Sequence, residues 1–69
     1  MSLNTFKAGV RTVYSKPDFA LIAQGVAHLE ACGFSPREIY RAALSVDPDL
    51  NPDTWADTVA TAKERHPAK

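Results

Sequence analysis

The sequence predicts an all-α fold, a small bundle of about four short helices, and three observations lead there. Apolar residues recur at three- and four-residue spacing through most of the chain, which gathers them on one face of a 3.6-residue helix. A cap-forming residue stands directly before a proline and an apolar-periodic run at Ser35-Pro36 and again at Asn51-Pro52, the order that opens helices. The segments marked in this way span approximately 3–14, 18–32, 36–45 and 52–65, and breaks rich in proline, glycine and aspartate separate them.

In the first segment Leu3, Phe6, Val10 and Val13 form the apolar stripe, with Asn4, Lys7 and Arg11 on the other side. Gly9 costs about 1 kcal/mol relative to alanine inside a helix, so Gly9 to Tyr14 also fits a short edge strand. Pro17 pushes the residue before it out of the helical region and is expected to end the segment. The second begins with Ser15 or Asp18 as its cap and carries Phe19, Ile22, Val26 and Leu29 inward; Gly33 stops it by taking a left-handed conformation that satisfies the last carbonyls.

The start of the third segment is the clearest local signal. Ser35 caps, Pro36 occupies the first helical position where its missing N–H had no partner, and Glu38 closes a capping box. Ile39, Tyr40, Ala43 and Leu44 then face inward, leaving Arg37 and Arg41 outside, one turn apart. "VDPDLNP" breaks the pattern. In the last segment Trp55, Val59 and Ala62 face inward, with Asp53 and Asp57 near the positive end of the helix dipole and Lys63 and Arg65 near the negative end. Residues 1–65 thus read as one small domain and 66–69 as a frayed tail.

A chain of 69 residues is near the lower limit for a self-sufficient core. With 45% hydrophobic and 23% charged residues it is neither disordered nor membrane-spanning in composition, and its longest apolar run, "FALIA", is far short of a span. The charges in its first residues do not suit a signal peptide, which points to the cytoplasm. Cys32 is the single cysteine, so no intrachain disulfide forms, and stability must come from packing or from self-association. Eight basic and eight acidic residues cancel, so no overall field draws the chain to a polyanion.

Chemistry-bearing constellations are sparse. His28 and Cys32 share a helix face four residues apart, yet a structural zinc needs four ligands and a catalytic pair needs an orienting third group and a pocket; a packed cysteine beside a boundary histidine is the simpler expectation. The sequence contains no phosphate loop, serine elbow, zinc spacing or recognisable pair of catalytic carboxylates, which argues against an enzyme and against a cofactor. Lys7, Arg11 and Lys16 either contact phosphates or pair with the acids between Asp47 and Asp57. That acidic stretch is either a turn with helix-favouring carboxylates or, with Leu50 and Trp55 among the acids, a surface for a basic partner.

Two resemblances bear on function. Gly25 to Leu44 resembles a helix-turn-helix, with Gly33 in the turn, Phe34 after it, Ser35 opening the second helix and Ile39 packing back; this implies Arg37 and Arg41 in a DNA major groove. Leu29 stands where that motif carries a small residue, and Ala42 where it carries a large one. "CGF" at Cys32 to Phe34 is similar to the Met-Gly-Phe-like loop of ubiquitin-associated domains, with Ile39, Ala42, Asn51, Trp55 and Val59 at matching helix positions, although the connection after Leu44 is longer. The expectation is a non-enzymatic regulator, adaptor or inhibitor that binds another protein, with DNA as the alternative partner, no membrane, and self-association as a further option. Arg37, Arg41, Lys7, Arg11 and Trp55 are its candidate contact residues.

Overall fold

The computed structural model describes residues 3–67 and contains four helices: α1 (Leu3–Arg11), α2 (Phe19–Ala31), α3 (Pro36–Val46) and α4 (Pro52–Arg65). The described residues contain no strand, so Gly9 to Tyr14 is not an edge strand. The domain expected over 1–65 is one bundle within the described residues. Of the expected tail, His66 and Pro67 lie in a shallow hollow beside Ala20, Ala23 and Ala27 of α2, and residues 68 and 69 fall outside the described range.

Local sequence dictates three of the helix starts. Asp18 is the α2 cap, accepting from the Leu21 N–H at 3.1 Å. At α3 both halves of the capping box form: Ser35 Oγ accepts from the Glu38 N–H and Glu38 Oε1 accepts from the Ser35 N–H. Asn51 Oδ1 accepts from the N–H groups of Asp53 and Thr54 to start α4. Gly33 takes a φ of +94°, and the Gly33 and Phe34 N–H groups bond the carbonyls of Glu30 and Leu29, closing α2 in a Schellman motif.

The end of α1 departs from expectation. The helix stops at Arg11 rather than at 14, with five residues between its end and Pro17. The cause is Thr12: its backbone N–H and its Oγ1 both bond the Gly9 carbonyl, at 3.1 and 2.7 Å, and the same Oγ1 accepts from the Asp18 N–H at 3.0 Å. A threonine hydroxyl that offers the backbone another partner ends a helix by competition. Val13 is buried even so.

Packing begins with an antiparallel α1–α2 pair. A Cβ on Gly25 would lie 2.7 Å from Phe6 Cα, and one on Gly9 would lie 3.0 to 3.2 Å from Ile22. That approach leaves no room for a Cβ on Gly25 and little for one on Gly9, so the pair closes backbone against backbone. With about 100° per residue, Leu3 lies on the same side of α1 as Phe6 and Val10, but it is the first residue of the helix and is 48% exposed rather than inward.

Helix α4 crosses α2 instead of running beside it. Lys63 pairs with Glu30 in the last turn of α2 at 2.9 Å, whereas Arg65, two residues on, lies over the ring of Phe19 in its first turn. Trp55 meets Phe6 edge-on with ring centroids 5.8 Å apart, joining α4 to the α1–α2 core. The loop between α3 and α4 is pinned at both sides: Tyr40 Oη donates to the Leu50 carbonyl, and Tyr14 Oη donates to the Asp49 carbonyl and accepts from the Asn51 N–H. Leu50 is consequently buried, a core residue rather than a surface contact among the acids.

Candidate functional groove

Because α4 crosses α2 and α3 packs mainly on α1 and α2, helices α3 and α4 hardly touch each other. The gap between them is a groove of about 390 Å³. Its floor is Val26, Ile39 and Trp55, all buried. Pro36, Arg37 and Tyr40 of α3 form one wall, and Pro52, Ala56 and Val59 of α4 form the other. The Glu30–Lys63 ion pair lies at its margin. The two prolines that start α3 and α4 therefore have a second role, as fixed wall segments.

Proline and alanine have no rotamer freedom to lose when a surface is covered, and Ile39 and Trp55 are already held by the core. The groove is thus largely preorganised, and preorganisation lowers the ordering cost of association. Pro36, Arg37, Pro52 and Ala56 are solvent-exposed, so its mouth is open.

The expected contact residues separate. Arg37 lines the groove, is exposed, and makes no ion pair within 4.0 Å among the described residues. Arg41, one turn on, is exposed outside the groove lining and lies near Glu38. Trp55 is only 5% exposed and contributes to the floor. Lys7 and Arg11 sit on α1, away from the groove, and neither they nor Lys16 pair with the acids between Asp47 and Asp57. Of those acids, Asp47 serves locally: its Oδ1 accepts from the Asp49 N–H, holding the turn.

Cys32 corrects another expectation. It is exposed at the α2 C-cap, with its Sγ 3.9 Å from His28 Nε2; as the last residue before Gly33 it has passed the surface that packs on the body. No three of the described His, Cys, Asp and Glu side chains come together at metal-binding distance. The Glu38 carboxyl is held below its ordinary 4.5 chiefly by the Ser35 N–H, then by the Ser35 hydroxyl, with Arg41 adding attraction. No described helix is long and apolar enough to cross a membrane.

Glu30 and Ala56 are the groove residues that sequence reasoning passed over, and Pro36 and Pro52 were read only as helix starts. The two cap-proline starts were visible, but that they would face one another across α2 was not. Neither a family model, nor a curated protein, nor a solved structure matches this chain.

Proposed function

We propose that this protein is a small, non-enzymatic cytoplasmic regulator, adaptor or inhibitor that binds another protein, and that a segment of the partner lodges in the groove between α3 and α4. The groove itself carries this reading: an apolar floor, walls of proline and alanine that need no ordering, and an open mouth. An open groove leaves a small molecule largely uncovered, whereas ligand sites bury about 70–90% of their ligand; a macromolecule covers the mouth as well as the floor.

The competing reading is a helix-turn-helix-like DNA regulator that uses the helix starting at Pro36. Its support is the α2-turn-α3 layout and the exposed pair Arg37 and Arg41. A formal net charge of zero and the position of Arg37 against an apolar groove favour protein.

Affinity capture from the native host, with and without nuclease, separates the two when run with wild type and with Ala56→Glu. Ala56 is exposed, so the variant keeps the fold while placing a carboxylate in the groove. The expected result is a specific protein recovered by wild type despite nuclease and lost with Ala56→Glu. Recovery by both proteins, or loss on nuclease treatment alone, contradicts the proposal.

A further inference from the structure

We infer that the segment occupying the groove is an amphipathic helix that presents a carboxylate to Arg37. This rests on the reading of the groove as a protein-binding site and goes beyond it by specifying the chemistry of the partner. Three features of the molecule select it.

The first is the absence of a sheet edge: the described residues hold no strand, so an extended segment would find no ladder of backbone groups to join, and strand addition is the mode that depends on such a ladder. The second is the shape and lining of the site. A trough between two diverging helices, floored by Val26, Ile39 and Trp55, matches the apolar face of a helix whose anchors recur at i, i+3, i+4 and i+7. Recognition of polyproline segments works through aromatic-lined grooves, but Trp55 is turned into the floor at 5% exposure and the Tyr40 hydroxyl is committed to Leu50.

The third is charge. Two cations line the groove. Lys63 is neutralised by Glu30 at 2.9 Å, while Arg37 on the α3 wall has no counter-ion within 4.0 Å among the described residues. The groove therefore carries one uncompensated positive charge, placed to one side of an apolar floor. A guanidinium fork beside a low-dielectric surface recognises a planar carboxylate through paired hydrogen bonds. An acidic residue flanking the apolar anchors supplies that group, and a basic residue there would be repelled.

A displayed library of helical peptides tests this, with apolar anchors fixed at i, i+3, i+4 and i+7 and the remaining positions randomised. It is selected in parallel against the wild-type chain and against Arg37→Glu, both checked for helix content by circular dichroism. Wild type is expected to enrich aspartate or glutamate at one flanking position, and Arg37→Glu to enrich lysine or arginine there. The acidic peptide should bind Arg37→Ala about tenfold or more weakly, the scale of a charged hydrogen bond. Peptides that bind and compete with each other but show no charge preference overturn the carboxylate while leaving the groove as the binding site. Failure to select any peptide, or binding unaffected by Ala56→Glu, overturns both. Tight, salt-sensitive binding of a mixed DNA duplex that is lost in Arg37→Ala would instead assign Arg37 to phosphate or base contact.

Discussion

Helices α1 and α2 approach until a single added Cβ on Gly25 would strike the backbone of Phe6, whereas α3 and α4 stand far enough apart to leave about 390 Å³ between them. Both pairs come from amphipathic segments of similar length in one short chain. The difference lies in what stands at the crossing. Gly9 and Gly25 remove the side chains that would hold α1 and α2 apart, and Phe6 and Ile22 fill the space around them. Between α3 and α4 the connection is pinned by Tyr14 and Tyr40, and α4 is drawn across α2 by Trp55 and Arg65. A closed pair supplies stability and an open pair supplies a surface, and in a domain this small each has to be made by different residues.

That contrast can be broken most forcefully on the closed side. Phe6 is 1% exposed and touches both Gly25 and Trp55, so Phe6→Ala should cost about 3–5 kcal/mol. Because a single core in a chain this short rarely supplies more than about 3–5 kcal/mol, the variant should be substantially unfolded by circular dichroism at room temperature. Gly25→Ala is subtler, since overpacking of about 1–3 kcal/mol opposes a gain of about 1 kcal/mol in helix propensity. With the clash falling on a backbone atom, a net loss of about 1–2 kcal/mol is expected as a lower urea midpoint; an unchanged or raised midpoint would show that α1 and α2 have room to spare.

The helix start beside the groove comes next. Ser35→Ala removes one half of the capping box and should cost about 1 kcal/mol, or about 4–8 °C in Tm for a domain of this size. The other half titrates. Glu38 has its pKa lowered in the folded protein, so its contribution is present above its unfolded value near 4.5 and is lost as pH falls through the folded value. Glu38→Gln keeps an acceptor without the charge. Melting temperatures measured from neutral pH down to pH about 3 should therefore show a small wild-type advantage that closes on acidification. Ala56→Lys should have the smallest effect, within about 0.5 kcal/mol, because its side chain enters open space. A large loss there would mean that the groove is part of the core.

The helix starts were legible in the sequence because they are local: Ser35, Pro36 and Glu38 carry their own geometry, as do Asn51 with Pro52 and Gly33 past the end of α2. What escaped depends on distant partners. The end of α1 is decided by a bond from Thr12 to the N–H of Asp18, which periodicity does not register. Leu3 shares the buried side of α1 but stands at its first residue, where it is 48% exposed. Cys32 reads as core by composition, yet it lies one residue beyond the end of α2 and three beyond Leu29, the last buried residue of that helix. Arg37 and Trp55 were singled out as contact residues for their chemistry, but as members of separate helices. Their common groove exists only because α4 crosses α2, a property of packing that no single segment encodes.

The central claim is that the open side is the working side, and the single tryptophan offers a direct reporter. Trp55 lies at the groove floor and against Phe6. A ¹⁵N-labelled sample titrated with the captured partner should show the Trp55 indole N–H shifting together with the amides of Glu30, Arg37, Ala56 and Lys63, while Lys7, Arg11 and Lys16 stay in place. Shifts confined to Lys7, Arg11 and Lys16, with the indole resonance unmoved at saturation, would contradict the account and assign the working surface to the first helix and the turn after it.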